Sequence, residues 1–284
     1  MTTLRDYLSL LKLRVVVLLD ATAVGVMFPA AHGHPSVGSV LAVVVGGTFA
    51  AGGAHAINCW FDRDIDGEMY RTRRRPLPAG RIPAWHALAL GVVLVALSFA
   101  VLWVGANLLA AAFALAGALV YVFVYTMWLK RSTPQNIVIG GAAGAMPPLV
   151  GWAAASGRLD LTALALFGVI FFWTPPHFWA LAQLIKNDYA RAGVPMLPVV
   201  AGEMSAKRQT IVYAVLTAAV STIPFFTGSA GAVYLSAAIV LGIGLVAIAL
   251  LDLQGRRWTR RLWTYSMVYV ALLFLVFAVS PFIP

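Results

Sequence analysis

The chain has 284 residues, 61% of them hydrophobic and only 11% charged, with a formal net charge of +10. Soluble domains average roughly 45–50% apolar and about 25% charged residues, so this composition excludes an ordinary globular enzyme and indicates an all-α integral membrane protein. The positive balance reads as membrane topology and not as nucleic-acid binding, and the single cysteine, Cys59, excludes an intrachain disulfide.

The N-terminal stretch carries Arg5, Lys12 and Arg14 ahead of an apolar run that reaches about Ala31. It has no short apolar core ending in a small-residue cleavage site, so it reads as a retained helix and not a signal peptide. A membrane helix needs about 20 apolar residues. Nine such spans are expected, over residues 14–31, 38–58, 86–105, 108–127, 136–155, 162–184, 210–227, 231–251 and 263–282.

The connections between them alternate in character. Those after spans 2, 4, 6 and 8 are basic, over residues 63–81, at Lys130-Arg131, over 186–208 and over 256–261. Those after spans 1, 3, 5 and 7 are short and nearly uncharged. Of the 20 Lys and Arg residues, only Arg158 falls on this second side. The asymmetry predicts a cytoplasmic N-terminus, basic loops on the cytoplasmic face of the inner membrane, and Pro284 on the opposite side. The loops after spans 2 and 6 run to roughly 25 residues each, far beyond most helix connections, and such loops tend to be functional. No soluble domain, repeat or low-complexity segment interrupts the pattern, so 1–284 reads as one polytopic domain.

The chemistry concentrates after span 2, in Asn58-Cys-Trp-Phe-Asp62-Arg-Asp64-Ile-Asp66. Asn58, Asp62 and Asp66 recur every four residues, which lines them along one helix face and turns Asp64 elsewhere. Acids at a helix C-terminus oppose the helix dipole, so an incidental solvated end does not account for them. Oxygen ligands of this kind bind Mg²⁺, which is commonly held by one or two carboxylates plus substrate phosphates.

Arg71, Arg73, Arg74 and Arg75 follow at once. A basic cluster on this face serves topology and anionic lipid, and beside the Asp row it also suits phosphate oxygens, chiefly through Arg71 and Arg75. Lys130 and Arg131 add a third basic wall on the same face. The second long loop is read from Trp173-Thr-Pro175-Pro176-His177-Phe178-Trp179 into Lys186-Asn-Asp188-Tyr189-Ala-Arg191. Ionisable groups at a membrane-helix end default to function, although a lone histidine is also an ordinary hydrogen-bonded core residue. Trp173, Phe178 and Trp179 suit either an interfacial belt or the wall of an apolar tunnel that stabilises a cation. The run Gly140–Pro148 reads as close helix packing with a kink. Asp20 in span 1 has no evident partner.

The row Asn58-x-x-x-Asp62-x-x-x-Asp66, the arginine-rich loop and a second motif after span 6 together resemble the UbiA superfamily of intramembrane aromatic prenyltransferases. The stretches Arg71-Thr-Arg-Arg-Arg75-Pro-Leu-Pro, Lys130-Arg131-Ser-Thr-Pro-Gln-Asn136, Pro175-Pro-His177-Phe-Trp and Asp188-Tyr-x-x-Ala-Gly-Val-Pro-Met-Leu-Pro198 are similar to its haem-farnesylating branch. The likeness runs from about Lys12 to the C-terminus.

It implies a UbiA-like bundle and Mg²⁺-assisted transfer of farnesyl from farnesyl diphosphate to haem B, a substrate and not a cofactor, giving haem O. Asn58, Asp62, Asp66 and Asp188 would ligate metal. Arg71, Arg75, Lys130, Arg131, Lys186 and Arg191 would hold the diphosphate. His177 and Tyr189 would orient haem or relay a proton, and a downstream haem A synthase would take the product. The superfamily's second motif usually carries several aspartates, whereas here only Asp188 remains and His177 stands where an acid is expected. Two other readings stay open: a related enzyme acting on a quinone precursor or chlorophyllide, and a transporter, which would place its polar groups near the bilayer midplane.

Overall fold

The structure, a computed structural model, describes residues 4–283. Among them nine helices are long and apolar enough to cross a bilayer: Leu13–Ala30, Val37–Phe61, Ala84–Gly105, Leu108–Ser132, Asn136–Ser156, Leu161–Leu184, Glu203–Phe226, Ala232–Gln254 and Arg256–Phe282. No strand occurs among the described residues. The nine expected spans are therefore present, and the position expected for Pro284 lies outside the described residues.

The boundaries shift where charged residues continue a helix past the apolar segment. Span 4 runs on to Ser132, so Lys130 and Arg131 occupy its last turn and not a loop. Span 7 begins at Glu203, which takes Lys207 and Arg208 out of the preceding loop, and span 9 begins at Arg256. Hydropathy detects only the lipid-facing length. Backbone hydrogen bonding carries helices further, with long basic side chains reaching the interface. The two long connections narrow to residues 62–83 and 185–202. The stretch Trp173–Gln183 is the interior of span 6 and not a loop, despite Pro175 and Pro176.

The short connections at the other end hand over directly to capped helices. Ser36, Asn107 and Asp160 each accept a hydrogen bond from the backbone N–H three residues on, at 3.1, 2.8 and 3.1 Å, and so start spans 2, 4 and 6. Span 4 departs from α geometry over Val120–Leu129, which winds as a π-helix. Such segments are rare and often mark functional sites.

Spans 1, 5, 6 and 9 form the middle of the bundle, with 2, 3 and 4 on one flank and 7 and 8 on the other. Large aliphatic residues such as Leu18, Val92, Val104 and Ile243 face outward. In lipid there is little hydrophobic drive between helices, so small residues that admit close backbone contact carry the packing. Gly53 and Gly91 do this reciprocally. A Cβ on either would lie 2.7 Å from the carbonyl oxygen of the other, joining spans 2 and 3. Gly140 and Gly141 admit Tyr125 and Thr174, and the helix breaks at Ala145 before Pro147. Asp20 does have a partner: the Thr48 hydroxyl donates to it at 2.7 Å across spans 1 and 2.

At Gly151 a Cβ would strike the Ala23 carbonyl of span 1. Gly151→Ala should therefore destabilise the bundle by about 1–3 kcal/mol, read as a lower melting midpoint in detergent. Gly38→Ala, where a Cβ meets nothing within 4 Å, should leave the midpoint near that of the unaltered protein.

Candidate active site

Span 2 ends at Phe61, and the backbone loosens at Asp62 (φ −84°, ψ 5°). The hydrogen-bond ladder nevertheless continues. The Asp62 N–H donates to the Asn58 carbonyl at 2.9 Å, and the Asp66 N–H donates to the Asp62 carbonyl at 2.8 Å. The short helix Arg63–Glu68 thus prolongs the face of span 2. Asn58, Asp62 and Asp66 lie along that face at 3%, 0% and 2% exposure, while the Asp64 side chain is 59% exposed.

Two carboxylates withdrawn from water require counter-charge. Lys130, from the last turn of span 4, pairs with Asp62, and Arg131 reaches the other Asp62 oxygen at 3.4 Å. Arg131 also clasps Asp64 with both terminal nitrogens, at 2.7 and 2.8 Å. That bond is the main reason the Asp64 carboxyl is held low, at about 2. Arg75 donates to Asp66 at 2.6 Å. Burial works against the Arg75 charge, and the Asp66 carboxylate outweighs it and holds the guanidinium above its ordinary range. Thr72 closes the loop by donating to the Asp66 carbonyl at 2.8 Å.

Asn58 is the hub. Its amide nitrogen donates to Asp62 at 2.6 Å and to Thr126 of the π-helical segment at 3.2 Å, and its oxygen accepts from Lys12 at 2.9 Å. In the sequence Lys12 signals only topology. Its left-handed backbone (φ 51°), between the short helix Leu4–Leu10 and span 1, turns it into the cluster. Burial pushes its ammonium down to about 8. Thr126 was also missed, because an apolar stretch gives no sign of which face a π-turn presents. Just below, His55 and Tyr121 bond at 3.2 Å.

The second loop meets the first through Arg71, which donates to the Tyr189 hydroxyl at 3.0 Å and lies over its ring. Met69, Ile137, Val194 and Met196 pack around this contact. The remaining candidates are not brought to the row. Lys186 pairs with Glu203 at 3.6 Å, and Arg191 pairs with Asp188 at 3.3 Å one helical turn away. Among the described residues no three His, Cys, Asp or Glu side chains gather around one metal position, so Asp188 does not complete a set with Asp62 and Asp66. The donors present still suit Mg²⁺: two buried carboxylates and an amide oxygen, the remaining positions being left to substrate phosphates and water.

His177 lies inside span 6. It stacks on Trp173 with ring centroids 4.5 Å apart and meets Phe178 edge-on at 5.5 Å. Its Nδ1 is 2.9 Å from Ser266 Oγ of span 9. Of the two settings weighed for the aromatic residues, Trp173 belongs inside the bundle, and Trp179 is fully buried. A cavity of about 530 Å³ opens at the opposite end of the bundle, lined by His32, Trp152, Arg158 and Asp160. It includes none of the row's residues.

Residues 18–273 match the UbiA prenyltransferase family. A Symbiobacterium thermophilum protein named protoheme IX farnesyltransferase is 51% identical over 95% of this chain and 92% of its own length. A Gloeobacter violaceus protein of the same name is 50% identical over 98% of this chain and 92% of its own. A Thermus thermophilus protein of that name is 53% identical over 98% of this chain, which spans only 46% of that longer relative. Among solved structures, a digeranylgeranylglyceryl phosphate synthase has a TM-score of 0.80 at 19% identity, with 99% of each chain covered. A UbiA homologue from Archaeoglobus fulgidus bound to DMAPP and Mg²⁺ has a TM-score of 0.71 at 19% identity, covering 96% of this chain and 99% of its own. These two show the fold.

The pairing of Lys130 with Asp62 separates stability from chemistry. Lys130→Met leaves a buried carboxylate short of its nearest cation and should destabilise the protein by about 3 kcal/mol. Adding Asp62→Asn should restore most of the melting midpoint without restoring prenyl transfer.

Proposed function

Because the chain belongs to the UbiA prenyltransferase family, we propose that it transfers the farnesyl group of farnesyl diphosphate to a vinyl group of haem B, giving haem O. The observation that carries the reading is the identity of about half over nearly the whole chain to relatives of that name. The charged row supports it, because paired carboxylates ringed by cations at the end of an apolar bundle suit a diphosphate whose tail is apolar.

In this reading Asn58, Asp62 and Asp66 would hold Mg²⁺, which when bound would supply Lewis-acid stabilisation of the departing diphosphate. Arg71, Arg75, Lys130 and Arg131 take the phosphate oxygens by charge-assisted hydrogen bonds, and Lys12 joins them from the N-terminal turn. Tyr189 holds Arg71 in place. Lys186 and Arg191, engaged with Glu203 and Asp188, are left out of the diphosphate set. The vinyl group attacks the farnesyl C1 as the diphosphate leaves. Water then adds to the resulting cation and gives up a proton, leaving a hydroxyethylfarnesyl chain. His177, in its aromatic setting within span 6, serves haem and not diphosphate. The basic face is the cytoplasmic one, by the positive-inside rule.

The test is a product assay on membranes containing the protein, supplied with farnesyl diphosphate and either haem B or 4-hydroxybenzoate. Mass spectrometry of the extracted pigment should show haem O. Prenylation of 4-hydroxybenzoate without haem O would favour the related quinone-precursor enzyme and overturn the proposal.

Asp62→Asn and Asp66→Asn should each lower haem O formation by about a hundredfold or more with the protein still in the membrane. Asp64→Asn, on the exposed side, should lower it by about tenfold at most, through loss of the clasp on Arg131. An equal loss in all three would contradict the division between buried and exposed carboxylates. Reporters inserted at Gly193 and fused after Pro284 should lie on opposite sides of the membrane. The same side for both would refute the topology.

A further inference from the structure

His177 sits seven residues before the end of span 6 at Leu184, about 10 Å along the helix axis. Two short contacts meet at its partner, the fully buried Ser266. Ser266 Oγ is 2.9 Å from His177 Nδ1 and 2.8 Å from the Trp263 carbonyl oxygen. A serine hydroxyl has one proton to give, and a carbonyl oxygen has none. At 2.8 Å in an apolar interior two oxygen lone pairs repel, so the Ser266 proton lies toward Trp263. The contact with His177 is then a hydrogen bond only if the imidazole donates. Nδ1 therefore carries the ring hydrogen, and in the neutral ring Nε2 is left with a bare lone pair.

The surroundings fix the ring as well as its tautomer. Trp173 stacks on it at an interplanar angle of 17°, and Trp263 lies nearly parallel at 29°. The Trp173 indole N–H donates to the Ser266 carbonyl at 2.7 Å, locking span 6 to span 9. The Trp263 Nε1 is buried with no hydrogen-bond partner. The site thus presents one open acceptor beside aromatic faces, which suits a planar macrocycle with a metal at its centre. Histidines that bind metal typically donate their other ring N–H to a fixed acceptor, which sets tautomer and orientation.

We propose that Ser266 is a positioning residue for haem: it holds His177 as the Nδ1–H tautomer so that Nε2 ligates the iron of the haem substrate. The proposal rests on the reading that His177 serves haem, and it adds the residue that sets its protonation.

The test uses the full-length protein in nanodiscs, titrated with haem B without prenyl diphosphate and followed by the Soret band and by low-temperature electron paramagnetic resonance of the ferric complex. The unaltered protein should give the spectrum of a histidine-ligated haem, and His177→Ala should lose it. Ser266→Ala should bind haem about 10–100-fold more weakly with an altered ligand-field signature, and Ser266→Thr, which keeps a hydroxyl, should recover both. Mg²⁺-dependent binding of farnesyl diphosphate, measured on the same samples, should survive in every variant. An unchanged spectrum in His177→Ala would overturn the haem-side reading itself. An intact His177 effect with an unaltered Ser266→Ala spectrum, or no recovery in Ser266→Thr, would overturn the role of Ser266 alone. Loss of diphosphate binding in Ser266→Ala in step with haem binding would mark a general packing role and overturn it too.

Discussion

A carboxylate taken out of water must meet a cation, and that requirement organises this protein. Asp62 and Asp66 are almost fully buried at the end of a membrane helix. Their counter-charges come from three parts of the chain: the last turn of span 4, the loop just after span 2 and, through Asn58, the turn before span 1. Apolar packing already sets spans 1, 2 and 4 side by side, and the charges add to it at one end. Low dielectric makes an unpaired charge so unfavourable that the pairs pin spans 1, 2 and 4 together at one face. The same low dielectric strengthens each charge-assisted bond that a diphosphate would make there.

The interior of the bundle follows a different rule. Between helices in lipid the gain comes from close contact and internal hydrogen bonds. Gly53 against Gly91 and Gly151 against Ala23 supply the contact, while Thr48 to Asp20 and Trp173 to Ser266 supply the bonds. There His177 is held by stacking on Trp173 and by the Ser266 hydroxyl at Nδ1. Under the proposed function the two reactants would therefore meet different physics: the diphosphate a cluster of fixed ions at the basic face, and the flat aromatic body of haem the indoles and imidazole of spans 6 and 9.

The second loop shows how few of its polar residues the first loop recruits. Tyr189 couples to Arg71, and apolar neighbours seal the contact. Asp188 and Arg191 satisfy each other within one turn, and Lys186 turns to Glu203 at the start of span 7. A local partner three residues away brings less conformational entropy loss than one across the site, which is why nearby charges so often pair among themselves.

Much of this was legible in the sequence. Nine spans followed from the length of the apolar runs, because the bilayer core sets the length of helix that crosses it. The spacing of Asn58, Asp62 and Asp66 placed them on one face, because a helix repeats every 3.6 residues and the hydrogen-bond ladder continues past Asp62. Other features depended on tertiary structure. The positive φ of Lys12 and the π-winding around Thr126 are conformations that neighbours impose, and neither has a local signature. The partner of His177 lies 89 residues away on another span, and no periodicity within one helix records which face of a second helix it will meet. Local residue order determined which side chains share a face. Packing between helices decided which faces met, and with them the counter-ion of each carboxylate and the ring nitrogen of His177 that is left open.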